Sequence, residues 1–267
     1  MSTGDVSHPA SLTTRWLRRL GPVAEPWVRL VCFPHAGGTA AFFRPWREYL
    51  PPDVELFSVQ YPGRLDRIAE PCIDDMDLMA ASVASAVHPL MDQPVALFGH
   101  SLGAVVAYEV ARRLAVRCPD MLAGLFVSGR PAPGRQRAGA KHLAADDILW
   151  QELGLLGGTR PEVLADPELR RAFLPALRSD YRLAERYQPR PGPPLGCRVT
   201  VLLGDRDSEV DLPEARSWAG VTTGPFTLRV FTGEHFYLTG EGPDVVREIV
   251  RGLAEDAPAR WMGLAGP

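Results

Sequence analysis

The most informative stretch of the sequence is residues 95–108, VALFGHSLGAVVAY. A short apolar run ends at Gly99, Ser101 stands between Gly99 and Gly103, and helix-forming residues follow. The arrangement is typical of a nucleophile elbow, a tight strand-to-helix turn that exposes a serine hydroxyl. The glycines are expected where a side chain would block the close crossing of strand and helix. The five-residue pattern is a weak signal alone, so the rest of the chain must supply partners for Ser101.

Apolar, β-branched runs on both sides of the elbow predict further strands, and helical periodicity lies between them. The predicted strands cover residues 28–33, 54–59, 122–127, 198–203 and 226–231; the predicted helices cover residues 40–50, 77–91, 102–117, 213–219 and 244–254. Strands that alternate with helices predict a mostly parallel sheet with helices on both faces. The expected fold class is therefore α/β.

The alternation stops between residues 138 and 189, where the pattern predicts helices at 146–153 and 167–187 but no strand. We interpret residues 138–189 as a helical lid inserted over the ends of the strands. Residues 15–137 and 190–258 then form the core, in which residues 15–20 form either an edge strand or a helical turn. Residues 1–14 are expected to be disordered, since they are polar and aperiodic, and residues 259–267 to be flexible.

Composition limits the class of protein. The chain has 267 residues, of which 46% are hydrophobic, and a formal net charge of −3. So small a charge does not favour binding to nucleic acid or to an anionic membrane. No apolar run approaches the roughly 20 residues that span a bilayer, and residues 1–10 lack the features of a secretory signal. The four cysteines are widely spaced: Cys32, Cys72, Cys118 and Cys197. We expect them to be free thiols in a cytoplasmic protein.

A serine nucleophile needs a base that takes its proton and a carboxylate that orients the base. In hydrolases with this elbow the chain order is serine, acid, histidine. Of the two histidines after Ser101, His142 lies in the predicted lid, whereas His235 directly follows the last strand and is the expected base. For the acid, Asp205 and Asp207 both follow the strand at 198–203. We favour Asp207, which can face the histidine loop, and keep Asp205 as the alternative or as a turn former.

The developing oxyanion needs two backbone N–H donors. One is expected at Leu102, directly after the nucleophile, and the other at Ala36 in the glycine-containing loop after the first predicted strand. His35 and His100 flank these two sites. They could be read as metal ligands or bases, but packing that fixes the two loops is the simpler interpretation. We expect no metal and no bound cofactor, because the chain lacks phosphate-loop, dinucleotide and metal-ligand patterns.

The lid sequence also carries a group of arginines that the triad does not use. A solvated helix face is the simpler interpretation of this group, and a docking surface for an acidic partner is the alternative. The arginines are Arg170, Arg171, Arg178, Arg182 and Arg186.

Five motifs in order resemble the type II thioesterases, stand-alone hydrolases associated with polyketide and nonribosomal peptide synthases. The motifs are FPHAGG (33–38), YPGR (61–64), GHSLG (99–103), GDRD (204–207) and GEHF (233–236). The resemblance covers residues 15–255, including LPALRSD at 174–180. It differs from the cyclising domains of polyketide synthases, which carry the acid after an earlier strand, where this chain has Ser128, Gly129 and Arg130.

The resemblance implies an α/β-hydrolase fold and hydrolysis of stalled or aberrant acyl groups from the phosphopantetheine arm of an acyl or peptidyl carrier protein. It further implies that Ser101 is the nucleophile, His235 the base and Asp207 the acid, with Ala36 and Leu102 in the oxyanion hole. A monomer is expected. Two other hypotheses remain at this point: a carboxylesterase or lipase on small esters, and a non-catalytic binding module with a hydrolase fold.

Overall fold

A seven-stranded sheet runs through the centre of the computed structural model, which describes residues 9–156, 159 and 161–256. The strands are β1 (Leu17–Arg19), β2 (Val28–Phe33), β3 (Val54–Val59), β4 (Val95–His100), β5 (Leu122–Ser128), β6 (Val199–Gly204) and β7 (Phe226–Phe231). Their order is β1-β3-β2-β4-β5-β6-β7. β1 pairs antiparallel with β3, and every other neighbouring pair is parallel. The predicted α/β class is confirmed.

Helices connect most of these strands. The α-helices of the described residues are α1 (Pro9–Trp16), α2 (Met76–Val87), α3 (Leu102–Arg117), α4 (Asp146–Leu155), α5 (Pro161–Ala165), α6 (Pro167–Arg186), α7 (Leu212–Arg216) and α8 (Gly242–Asp256). Shorter 3-10 segments lie at Ala40–Glu48, Leu65–Arg67, His88–Leu90, Pro119–Met121, Lys141–Leu143, Ser217–Val221 and Tyr237–Thr239.

Both faces of the sheet are buried along β2 to β6, as a parallel sheet between two helical layers requires, whereas the edge strand β7 is partly exposed. Successive side chains of β4 point to opposite faces. Leu97 packs in one apolar cluster with Val83 of α2 and Val106 of α3. Phe98 packs in the other cluster with Trp46 and with Ile249 of α8. The strand that leads into the elbow is therefore packed on both of its faces.

Between β5 and β6 lies the segment that we call the lid, residues 138–189. Its helices α4 and α6 agree with the predicted ones, and the part of it that the structure describes contains no strand. Its apolar side chains form a small cluster of their own: Leu149, Trp150, Leu153, Leu174 and Leu177. Ala36, in the loop after β2, packs against this cluster. The lid is therefore seated on the loop for which the sequence predicts an oxyanion donor.

The N-terminal expectation is wrong for residues 9–14, which belong to α1 and are not disordered. The helix is held by contacts to α2 and to its neighbours: Thr13 Oγ1 donates to the carbonyl of Ala86 at 2.9 Å, and Trp16 is buried. The Arg67 guanidinium lies 4.2 Å from the centre of the Trp16 ring. Residues 17–19 form the edge strand that the sequence offered as one of two readings. Residues 1–8 and 259–267, for which disorder and flexibility were predicted, lie outside the described residues.

The predicted helix after β2 is a 3-10 helix, Ala40–Glu48, instead of an α-helix. Pro45 lies inside it and lacks the N–H that an α-helical turn would use. Thr39 occupies the position before the first residue, but its side chain makes no capping hydrogen bond.

The four cysteines are free thiols, as expected. Within the described residues, no helix combines the length and the apolar character needed to cross a membrane.

Candidate active site

Ser101 occupies a strained turn between β4 and α3. Its φ of 55° and ψ of −117° are unfavourable for a residue with a side chain. The chain cannot relax this turn, because the flanking glycines touch neighbouring backbone. A β-carbon on Gly99 would lie 2.1 Å from the carbonyl oxygen of Gly103, and one on Gly103 would lie 2.0 Å from that of Phe33. The Ser101 N–H donates to the carbonyl of Ser128 at 2.8 Å. The close contacts at Gly99 and Gly103 are those that the elbow pattern predicts.

The structure brings His235 and Asp207 together. Nδ1 of His235 lies 3.0 Å from Oδ1 and 3.1 Å from Oδ2 of Asp207. The side chains are 3% and 0% exposed. Asp207 Oδ1 also accepts the N–H of Glu209 at 2.9 Å, which orients the carboxylate. The pair favours the imidazole tautomer that leaves Nε2 without a proton and able to accept one.

Asp205, the alternative acid, faces elsewhere. Its Oδ1 accepts the N–H of Gly233 at 2.8 Å, and its carboxylate pairs with Arg206. Asp205 therefore ties the end of β6 to the loop that carries His235. This is the turn-forming role that the sequence left open for it.

A small cavity joins the predicted site residues. Ser101, Leu102, Ala36 and His235 all line it, and its volume is about 30 Å³. Leu102 is the first residue of α3, where backbone N–H groups have no partner within the helix and the helix dipole favours negative charge. Ala36 lies inside the turn after β2 that is closed by the N–H of Gly38 donating to the carbonyl of His35 at 2.9 Å. Both expected donors of the oxyanion hole thus border the same space as Ser101.

Two further histidines surround His235. The ring centre of His100 lies 4.8 Å from that of His235 and 6.1 Å from that of His35. Burial, with His235 and Arg64 nearby, lowers the pKa of His35 to about 3. Burial also lowers the pKa of His100 well below its ordinary value. Both rings are therefore neutral near pH 7, and they pack around the site as expected.

Ser128 and Tyr237 form a buried chain behind His100 that the sequence did not predict. Nδ1 of His100 lies 3.0 Å from Oγ of Ser128, which lies 2.7 Å from the hydroxyl of Tyr237. Burial raises the pKa of Tyr237, so its hydroxyl keeps its proton. In the sequence, Ser128 is informative only because it stands, at the end of β5, where a carboxylate is absent. No local pattern points to this contact, because 109 residues separate Ser128 from Tyr237.

Ser101 also lines a second, larger cavity of about 240 Å³, which we call the polar chamber. Polar side chains form much of its wall, among them Arg130, Gln136, Lys141, Tyr181 and Glu209. Burial lowers the pKa of Arg130. Its Nη2 donates to the carbonyl of Ala184 at 3.2 Å, and its buried Nε has no hydrogen-bond partner among the described residues.

The remaining candidates lie away from the triad. His142 is buried inside the lid against Glu185. Most of the lid arginines form ion pairs within the chain, which agrees with a structural helix face. The pairs are Arg170 with Asp147, Arg171 with Glu168, Arg178 with Asp146, and Arg182 with Asp74; Arg186 is exposed. Among the described residues there is no cluster of three or more metal-ligating side chains.

Comparison with known proteins gives concordant matches. The profile of the family described as "Thioesterase domain" matches residues 28–253. "Thioesterase PikA5" of Streptomyces venezuelae is 46% identical over 235 residues, 88% of this chain and 84% of that protein. The structure of the type II thioesterase BorB from the borrelidin biosynthetic cluster has a TM-score of 0.83 and 46% identity, covering 89% of this chain and 97% of BorB. YbtT, described as a type II thioesterase from a yersiniabactin NRPS/PKS pathway, has a TM-score of 0.79 and 30% identity, covering 90% and 99%.

Proposed function

Because the chain belongs to the type II thioesterases of polyketide and nonribosomal peptide pathways and is a hydrolase of thioesters, we propose that it releases stalled or aberrant acyl groups from carrier proteins. The acyl group in this proposal is held as a thioester on the phosphopantetheine arm of an acyl or peptidyl carrier protein. The chemistry uses Ser101, His235 and Asp207 and needs no bound cofactor.

The main support for this proposal is the arrangement of residues around the small cavity. His235 lines this cavity together with Ser101, Ala36 and Leu102. Behind His235 lies the buried carboxylate of Asp207, whose Oδ1 is 3.0 Å from Nδ1 of His235. A nucleophile, an oriented base and two candidate oxyanion donors around one space are the requirements of acyl transfer through a covalent intermediate.

The first half-reaction acylates the enzyme. Oγ of Ser101 attacks the thioester carbonyl carbon while Nε2 of His235 takes the proton from Oγ. Asp207 stabilises the imidazolium that forms. The N–H groups of Ala36 and Leu102 bind the resulting oxyanion. The carbon–sulfur bond then breaks, and His235 returns the proton to the leaving sulfur. The products are an acyl-Ser101 ester and the free thiol of the carrier arm.

The second half-reaction releases the acid. Water attacks the acyl-Ser101 carbonyl while Nε2 of His235 takes one of its protons, and the same oxyanion hole is used again. The bond between the acyl carbon and Ser101 Oγ breaks, and His235 returns the proton to Oγ. A thioester is already an activated acyl group, so the enzyme needs less stabilisation of the transition state than an amide would require.

The neutral neighbours of His235 suit this cycle. In both half-reactions His235 becomes an imidazolium for part of the time. His35 and His100, whose pKa values burial lowers, add no positive charge that would oppose this step. His35 also packs against an aromatic side chain, with the ring centre of Phe236 4.6 Å from its own.

The polar chamber suits the arm of the carrier. The phosphopantetheine arm is a flexible chain with amide carbonyls that accept hydrogen bonds. The wall of the chamber offers donors in Arg130, Gln136 and Lys141 close to Ser101, and it reaches the exposed residues 137–139. An arm entering along this wall would bring its thioester to Ser101 and its acyl group toward the smaller cavity.

The test compares the same acyl group on two leaving groups. We expect the purified protein to hydrolyse acetyl or propionyl groups from a phosphopantetheinylated carrier protein with a higher kcat/KM than the matching p-nitrophenyl esters. A strong preference for the free esters would favour the carboxylesterase hypothesis instead. Absence of turnover on both substrates, with no labelling by a fluorophosphonate probe, would favour a non-catalytic module. A panel of acyl groups on one carrier then defines which chains are removed.

A further inference from the structure

An ion pair buried between the lid and the core lies outside the triad. Arg64 follows β3, and Asp180 belongs to α6 of the lid. Nη1 of Arg64 lies 2.7 Å from Oδ2 of Asp180, and Nη2 lies 2.9 Å from Oδ1. The two side chains are only 2% and 1% exposed. Burial opposes the charge of Arg64, but contact with Asp180 more than offsets this effect, so the pKa of the guanidinium is raised.

The same two side chains hold the loop that carries Ala36. Oδ2 of Asp180 accepts the N–H of Gly37 at 2.8 Å, and Nη1 of Arg64 donates to the carbonyl of Gly38 at 3.2 Å. Gly37 has a φ of +74°, in the left-handed region. The N–H of Gly37 and the carbonyl of Gly38 are therefore both held by one bidentate ion pair.

These contacts set the orientation of the peptide next to Ala36. In a planar trans peptide the N–H and the preceding C=O point in opposite directions. A Gly37 N–H that points at Asp180 therefore turns the carbonyl of Ala36 away from Asp180. Rotation of the Ala36–Gly37 peptide would break the hydrogen bond from Gly37 N–H to the buried carboxylate of Asp180. Loss of a charge-assisted hydrogen bond costs more free energy in a buried place than at the surface. The peptide that carries the N–H of Ala36 is held from its other end, because its carbonyl, that of His35, accepts the N–H of Gly38 at 2.9 Å. Both peptides that flank the α-carbon of Ala36 are thereby fixed at the small cavity.

We propose that Asp180, with Arg64 as its counter-ion, is a positioning residue that keeps the oxyanion loop in its active conformation. The proposal rests on the function proposed above. It also couples the lid to the chemistry: Tyr181 and Ala184 of α6 line both cavities, so a substrate that displaces α6 also acts on Asp180 and through it on Gly37. The oxyanion donor at Ala36 is then in place only while α6 is seated.

A set of variants separates positioning from simple stabilisation. Asp180→Asn removes the charge and leaves one oxygen for three N–H donors, and we expect kcat to fall about 100-fold with KM changed much less. In the double variant Arg64→Met/Asp180→Leu both charges are absent, so no uncompensated charge is buried. The N–H of Gly37 and the carbonyl of Gly38 lose their partners, and we expect a smaller loss of stability than from breaking the pair on one side only. The acceptor for Gly37 is still missing, so we expect kcat to stay about 100-fold low.

A matched control breaks another ion pair between α6 and the core. Arg182 Nη1 lies 3.0 Å from Oδ2 of Asp74 and does not touch the oxyanion loop. Asp74→Asn is expected to leave kcat within about twofold of the wild type, because exposed pairs contribute little. Thermal unfolding of every variant is measured beside its kinetics.

Recovery of wild-type kcat in the double variant would overturn the proposal, because a merely structural pair would restore activity together with stability. If the double variant does not fold, Asp180→Asn assayed well below its unfolding temperature decides, and an unchanged kcat there would equally overturn it. Each variant is also assayed on p-nitrophenyl acetate, which needs the same oxyanion hole but no carrier. A wild-type protein inactive on carrier thioesters but active on this ester would contradict the proposed function and still test the role of Asp180.

Discussion

The carboxylate of Asp207 accepts a hydrogen bond from Nδ1 of His235, with both of its oxygens within 3.1 Å of that nitrogen. The contact joins the turn after β6 to the loop after β7. Asp205, two residues earlier, binds the N–H of Gly233 instead. The two aspartates therefore have different effects on His235, and substitution tells them apart.

We expect Asp207→Asn to lower kcat about 10⁴-fold, because an amide favours the wrong imidazole tautomer and cannot stabilise the imidazolium. Asp205→Asn is the matched control, since the amide oxygen can still accept the N–H of Gly233, and we expect kcat within about tenfold of the wild type. Steady-state hydrolysis of an acyl-carrier thioester measures both. Inactivity of Asp205→Asn alone would mean that the acid is assigned to the wrong aspartate.

We expect the small cavity, whose volume is about 30 Å³, to limit the length of the acyl group. Leu156 of the lid lines it, whereas Leu155 is 77% exposed. We expect Leu156→Ala to raise the ratio of kcat/KM for hexanoyl over acetyl carrier about tenfold. Leu155→Ala should leave that ratio unchanged. The same change of the ratio in both variants would show that the cavity does not determine the preferred acyl length.

We expect the free energy of unfolding to decrease as the pH is lowered below about 6.5, the ordinary pKa of histidine. His35, with a pKa of about 3, and His100, with a lowered pKa, stay neutral in the folded protein while the unfolded chain binds protons. The unfolded state is therefore favoured as the pH falls, by about 2 kcal/mol per histidine at pH 5. Denaturant unfolding from pH 7.5 to 5 measures the slope.

The variant His100→Gln should weaken this dependence, whatever its effect on stability at pH 7.5. The exposed His88 provides the control, and His88→Gln is expected to keep the wild-type slope. An unchanged slope in His100→Gln would show that His100 does not resist protonation in the folded state.

The residues of the candidate site could be found from the sequence where their signal is local. Ser101 stands in a turn whose glycines are required by contacts of 2.1 Å and less. Asp207 and His235 each follow a strand that periodicity predicts, and parallel strands bring their carboxyl ends to one edge of the sheet. The strands β2, β3 and β7 begin and end where apolar runs predict them.

The residues that the sequence missed act through distant contacts. Asp180 lies 143 residues from Gly37, and the motif that contains it gives no sign of this partner. The chain from His100 through Ser128 to Tyr237 likewise needs two strands and a loop to be assembled first. Helix α1 was missed for the same reason, because packing of Trp16 against the core, and not local periodicity, holds it.

The proposed function requires that Ser101 forms the acyl-enzyme in the release of acyl groups from a carrier protein. The measurement is release of a labelled acyl group from a phosphopantetheinylated carrier by the wild type and by Ser101→Ala, with Ser85→Ala, at an exposed position of α2, as the control serine. We predict that Ser101→Ala lowers the rate at least about 10⁴-fold and abolishes labelling by a fluorophosphonate, and that Ser85→Ala changes neither. Acyl release by Ser101→Ala at a rate near that of the wild type would exclude Ser101 as the nucleophile.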